Sequence, residues 1–288
     1  MFSIVKFLIT LDNSLFSLLR ILKHFTKVND IFKRSQKNEA LLIIGNGPSL
    51  DIDSLQEFNC KKKGDILVVN DFGYSEYFFR IKPKYYVLYD DYYFNSINED
   101  INERVDLLYN TIFKKVNWEM NLIIPNVRKS FFLKSKFKFS SLINVIYINC
   151  VPFTGFDFIR SQLLLRNLTI FPVRNVIVAS IFLGINLRYS NLFLFGVDHD
   201  IIKDLTVDKK NNVKLSIRHF YSQSSEPIIW YDSAGIKYTM AKALEDILIM
   251  FRGYEELQKY AVKRRSYIVN MNPNSFVDAF PKQKAVTK

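Results

Sequence analysis

Leu41-Leu-Ile-Ile-Gly-Asn-Gly-Pro-Ser-Leu50 decides how this 288-residue chain is read. Four consecutive aliphatic residues ending at a glycine are too few for a helix and too uniformly apolar for a half-exposed strand. They suit a strand buried on both faces, as in a parallel sheet. Gly45 and Gly47 allow positive φ and close backbone approach, and Pro48 followed by Ser49 suits a helix start whose free N–H groups point into a crevice and attract an anion. The spacing is neither that of a dinucleotide fingerprint nor of a phosphate loop with its lysine. A bare strand, turn and helix without ligand is the plain alternative.

Outward from this stretch, short apolar runs recur at 66–70, 85–89, 121–124, 144–148, 192–195 and 267–270, each bounded by Gly, Pro, Asn or Asp. Helical periodicity fills the intervals. Two helices are well marked. One covers 172–183, with Pro172 at its start and Gly184 beyond its end. The other covers 236–265, with Met240, Leu244, Ile247, Leu248, Phe251, Tyr254, Leu257 and Ala261 on one stripe that packing explains. Alternating strands and helices predict a doubly wound, mostly parallel, Rossmann-like α/β domain over 39–288. Residues 200–235 break the rhythm with polar residues around His219, Tyr221 and Trp230, which suits either a lid over a crevice at the strands' C-terminal ends or a plain surface loop. Residues 1–38 read as one amphipathic helix carrying seven cations against Asp12 and Asp30. It either lies in a membrane interface facing anionic lipid or docks on protein, including a second copy of the chain.

Composition narrows the classes. An apolar content of 49% supports a full core and excludes disorder, collagen and coiled coil as the main state. Forty Lys and Arg against 28 Asp and Glu leave +12, which favours anionic partners. Codon bias in an AT-rich genome would give much of this Lys-, Asn- and Ile-rich composition unaided. No basic-aromatic motif points to nucleic acid. Cys60 and Cys150 are too few for a disulfide scaffold or a zinc cluster, so a reducing, cytoplasmic compartment is expected. Residues 2–10 are broken by Lys6 and followed by Asp12, so neither a spanning helix nor a signal peptide is expected.

Polar residues gather at the predicted strand ends. Asn70, Asp71, Asp90 and Asp91 follow the second and third strands, where amides can read a base or sugar and carboxylates can hold ribose hydroxyls or Mg²⁺. Asp198, His199 and Asp200 follow the sixth. An Asp–His pair there could orient a general base, and His219 is the rival for that role. Asn272, Asn274 and Ser275 after the last strand either add donors to the crevice or cap a short helix.

Taken together, Gly45-Asn46-Gly47-Pro48-Ser49-Leu50, Asn70, Leu183-Gly184 before Gly196-Val197-Asp198, and Pro273-Asn274-Ser275 resemble the bacterial CMP-sialic-acid-dependent sialyltransferases of lipooligosaccharide synthesis. More loosely they resemble the related MptE-like domain. The resemblance covers about residues 40–281 and implies a GT-A-like transferase fold. It also implies nucleotide contacts from Asn46 and Asn70, a donor contact at Asp90, a base at His219 and no metal or other cofactor. Where the family carries a tyrosine pair this chain has His199 and Asp200, and Phe171-Pro-Val-Arg174 replaces its Thr-Ser-Gly run; Tyr221 and Arg174 could substitute. The expected activity is inverting transfer of an acidic, sialic-acid-like sugar from a CMP donor to a glycan or lipid-linked acceptor, at the inner face of the cytoplasmic membrane if residues 1–38 bind lipid. The alternatives are an MptE-like diphosphotransferase with Mg²⁺ on Asp90, Asp91 or Asp198, and a non-catalytic nucleotide-binding protein of a polysaccharide complex.

Overall fold

The computed structural model describes residues 2–32, 39–94, 99–134, 140–216, 219–220, 226–232 and 235–284. The strands, in chain order, are β1 (Ala40–Ile44), β2 (Asp65–Val69), β3 (Tyr85–Val87), β4 (Met120–Pro125), β5 (Ile143–Ile148), β6 (Asn191–Phe195), β7 (Thr206–Val207), β8 (Val213–Leu215), β9 (Ile228–Ile229) and β10 (Tyr267–Asn270), and the shorter helices are α3 (Tyr77–Ile81), α5 (Lys129–Lys134) and α6 (Asp157–Leu165). Seven of them form one sheet in the order β10-β6-β1-β2-β3-β4-β5, and every pairing in it is parallel. These are the seven runs expected from the sequence.

The continuous apolar character of β1 has a simple cause, because successive side chains serve opposite faces. Leu41 and Ile43 pack under α7 (Val176–Asn186) and α8 (Met240–Arg264). Leu42 and Ile44 pack under α2 (Ile52–Lys62) and α4 (Glu99–Lys115). All four are wholly buried, each contributing about 1.5–3 kcal/mol of transfer free energy. The chain winds outward from β1 to β5, then returns to place β6 on the other side of β1. The order therefore reverses between β1 and β6, and in such sheets ligands bind outside the strands' C-terminal ends at that switch.

Several helix boundaries differ from the sequence reading; α8 starts at Met240 rather than 236, where Thr239 Oγ1 accepts the Lys242 N–H at 3.2 Å. α7 starts at Val176, four residues beyond Pro172, because the Asn175 side chain caps it by accepting the Ile177 N–H at 2.6 Å. Gly184 lies inside α7 rather than beyond it, since a Cβ there would stand 2.7 Å from Leu192 of β6. The N-terminal helix, α1 (Phe2–Lys23), is shorter than the expected 38 residues. Asn149 accepts the Thr26 N–H and donates to its carbonyl, both at 2.9 Å, and the Asn126 amide donates to the His24 carbonyl. These bonds hold residues 24–26 as a non-helical strip against the body. Lys33, Arg34 and Lys37 lie outside the described residues.

The 200–235 insertion is a small antiparallel sheet, β7-β8-β9, with Trp230 stacked on Tyr238 at 4.4 Å. It stands over the C-terminal edge of the main sheet as a wall of the cleft described next.

Candidate functional site

Two adjoining cavities of about 420 and 670 Å³ open at the C-terminal edge of the sheet, within the range usual for ligand pockets. The inner lobe is lined by Gly45 to Pro48, Asn70, Asp198, Ser216 and His219 among others. The outer lobe is lined by Tyr89, Asp91, Tyr238, Lys242 and Asp246 among others. Asp90, Arg174, Asn175, His199, Ile201 and Trp230 line both, so they stand at the junction.

The Gly-Asn-Gly turn is built differently from expectation. Neither Gly45 nor Gly47 has positive φ. Their necessity is steric: a Cβ on Gly45 would lie 2.5 Å from the Gly196 carbonyl, and one on Gly47 1.8 Å from Asp198 Oδ2. The turns after β1 and β6 thus touch backbone to backbone, with the Gly47 N–H donating to Gly196 O at 2.9 Å. Asp198 completes the clamp. It accepts from Ser49 Oγ at 3.0 Å, Ser49 N–H at 3.4 Å and Asn272 Nδ2 at 2.7 Å. The Asp198 carboxylate therefore takes up the Ser49 N–H at this turn. The helix also starts later than Pro48 and Ser49 suggest, since Asp51 caps α2 by accepting the Asp53 N–H.

Asn46 and Asn70 both reach the inner lobe, with different freedom. Asn46 Nδ2 donates to Val69 O at 3.3 Å, whereas its buried Oδ1 has no hydrogen-bond partner among the described residues. A buried acceptor in that state costs roughly 1–3 kcal/mol until a donor arrives. Asn70 is committed. At φ 45°, a conformation asparagine tolerates, it donates to Asp90 Oδ2 at 2.7 Å and accepts the Tyr89 N–H at 3.1 Å. Its amide therefore acts by fixing Asp90. Burial, with Asp71 and Asp91 nearby, pushes the Asp90 carboxyl up to about 7.

His219 is carried in by the insertion. The next residue, Phe220, donates its N–H to Asn46 O at 3.0 Å and stacks on Phe72 at 5.5 Å. The imidazole Nε2 stands 3.9 Å from Asp71 Oδ2. Burial lowers the His219 pKa, opposed in part by the Asp71 charge. Asp71 also receives the hydroxyls of Tyr92 and Tyr93 and lies 3.4 Å from Arg104. His199 is held more tightly, at φ 50°. Its ring meets the Tyr254 hydroxyl at 2.7 Å and the Asn175 amide at 3.1 Å, and burial brings its pKa down to about 4. It is a neutral, fixed wall group at neutral pH.

Arg174 reaches both lobes while pairing with Asp246 at 3.1 Å. Asn274 and Ser275 line neither cavity among their described walls. Ser275 is 3% exposed and donates to Val197 O at 2.7 Å, so this turn braces the β6 loop. Asp91 pairs with Arg128. Tyr221 lies outside the described residues. Among the described residues no three His, Cys, Asp or Glu side chains converge as a metal set. Asn175 and Tyr254 were missed as site residues. An asparagine directly before the apolar run of α7 is a cap signal that could have drawn attention to Asn175, whereas Tyr254 looks like any other member of its core stripe.

No protein-family model matches the chain, and no curated protein matches it. Among solved structures it is similar to the monofunctional alpha-2,3-sialyltransferase Cst-I from Campylobacter jejuni. The identity is 12%, the TM-score 0.47, and the likeness covers 88% of this chain and 84% of that one.

Proposed function

We propose that the chain is a glycosyltransferase that moves an acidic, sialic-acid-like sugar from a CMP donor to a glycan acceptor with inversion. The observation that carries this reading is the inner lobe walled by Gly45 to Pro48, where Asn46 keeps a buried Oδ1 with no hydrogen-bond partner among the described residues. A rotation of that side chain into the lobe would let the amide oxygen accept from an exocyclic amine or a ribose hydroxyl, as a cytidine nucleotide offers. The sequence resemblance around residues 45–50 points to the same ligand.

In this reading the nucleotide fills the inner lobe and the sugar lies at the junction beside Asp90, Arg174 and His199. The acceptor hydroxyl approaches from the side of the inner lobe walled by Ser216 and His219. His219 takes the proton of the acceptor hydroxyl as that oxygen attacks the anomeric carbon and CMP leaves from the opposite face. The Asp71 carboxylate stabilises the imidazolium that forms. Arg174 offers positive charge to the departing phosphate. Asp198 holds the floor of the site by joining the β1 and β6 turns and stays out of proton transfer.

A thermal-shift panel of CMP, CDP, UDP, GDP and ATP, with and without Mg²⁺, tests the donor class. CMP should stabilise the chain most, by about 2.7 kcal/mol at a hundredfold excess over Kd, and Asn46→Ala should remove most of that gain. Preference for ATP with Mg²⁺, or loss of all turnover in EDTA, would favour a diphosphotransferase instead.

A further inference from the structure

α1 is amphipathic with its faces reversed. The stripe Thr10, Ser14, Ser17 and Ile21 faces the body. Ser14 and Ser17 are each 2% exposed, Ser17 Oγ bonds Thr154 at 2.9–3.0 Å, and Ser14 Oγ accepts the Phe156 N–H at 3.1 Å. Ile21 packs on Val151 and Phe153. The opposite side presents Ile4, Leu8, Leu15, Phe16, Leu19 and Leu22, each between 51% and 69% exposed. Small polar residues thus dock the helix, and its large apolar residues are left for something else. The surface continues through Phe7 and Phe156, 5.5 Å apart, to Phe158, which is 70% exposed. The exposed Asp12 lies within this face, one turn from Leu8, Leu15 and Phe16, and is the one anion in an otherwise apolar stripe; a face so largely apolar marks an interaction site.

The charges beside it select the partner. Lys6, Arg20, Lys23 and Lys27 border the face, none with an ion pair among the described residues, and Arg20 lies over the Phe16 ring at 5.9 Å. Two copies meeting through this face would set these cations against one another in either orientation, with Asp12 alone on the helix to offset them, and each copy carries +12. An anionic lipid surface meets both the apolar stripe and its basic flank. No described helix is long and apolar enough to cross a bilayer, so the contact lies in the interface plane. The helix rests on the segment that follows β5, at the same edge of the sheet as the cleft.

We infer that α1 is an in-plane anchor that seats the protein on an anionic membrane through Leu15, Phe16, Leu19 and Leu22, with Arg20 and Lys23 at the headgroups. The test uses the full chain with phosphatidylcholine vesicles, with and without phosphatidylglycerol, and light scattering at rising protein concentration. Sedimentation with the phosphatidylglycerol vesicles alone is expected. Arg20→Gln with Lys23→Gln should weaken it about 30-fold, at roughly fivefold per cation. Leu19→Glu should abolish it with an unchanged Tm, and if that variant fails to fold, Leu15→Ser with Leu22→Ser reads the same face without adding charge. Absence of vesicle binding, equal binding to both vesicle types, or a dimer that Leu19→Glu dissociates would overturn the inference, the last by giving the face to a second copy.

Discussion

Asp90 and His199 both line the junction of the two lobes, and burial drives their titrations in opposite directions. Asp90 has a folded pKa of about 7 against an ordinary 3.8, so between those values the native state holds a proton that the unfolded state has released, and stability falls as pH rises through that window. His199, at about 4 against 6.5, costs stability as pH falls from 6.5 towards 4, because only the unfolded chain takes up the proton. Asp90→Asn removes the first cost while keeping an acceptor for Asn70 Nδ2. Calorimetry should find its Tm about 2–4 °C above wild type at pH 8, corresponding to about 1 kcal/mol, with a clearly smaller gain at pH 5, nearer the lower end of the window. An equal change at both pH values would mean that Asp90 does not titrate in this way. His219 makes the kinetic counterpart. As a base it works when neutral, and burial lowers its pKa below 6.5. The proposed transfer rate should therefore be flat at neutral pH and fall on acidification only below that value. His219→Ala should lower kcat about 10²–10⁴-fold with CMP binding retained.

At the scale of elements, the clearest reading is that the β1 and β6 turns form one unit. Asp198, in the β6 turn, accepts from Ser49 after β1 and from Asn272 after β10, so Asp198→Ala strands several donors at once. Such losses run to about 1–3 kcal/mol each, and chemical denaturation should show at least one of them. Asp198→Asn, which keeps the shape, should recover much of it; if Asp198 were instead a proton-transfer group, Asn would be as inactive as Ala and equally stable. This arrangement also explains what was legible in the sequence. The seven sheet strands were, because a strand buried on two faces has to be apolar at every position, as Leu41 to Ile44 are. Asn46, Asn70, Asp90 and His219 were placed near one crevice because strand ends converge on one edge of a parallel sheet. The helix starts were not, because Asn175 and Asp51 cap where Pro172 and Ser49 seemed better signals. The purpose of Gly45 and Gly47 was hidden too, since their necessity comes from Gly196 and Asp198, about 150 residues away in sequence. The end of α1 depends on Asn126 and Asn149, equally remote.

For the whole molecule, the cleft exists only while the insertion stays against the sheet edge. Among the described residues Phe220 anchors it near the inner lobe. Phe220 stacks on Phe72 and sits 6.2 Å from Tyr77, and its N–H reaches Asn46 O. Phe72 is part of the sheet's buried core and Phe220 only packs against it. Removing the Phe220 ring is therefore expected to leave the body folded and to weaken the seating of His219. An aromatic pair of this kind is worth about 0.5–1.5 kcal/mol beyond area. Phe220→Ala should accordingly raise the KM for a nucleotide-sugar donor by up to about tenfold while Tm moves by less than about 2 °C. It should also lower kcat, because the same ring positions the residue proposed as base. If Tm fell steeply while KM and kcat held, Phe220 would be a core residue like Phe72, and the insertion would be a fixed part of the fold rather than a wall seated through Phe220.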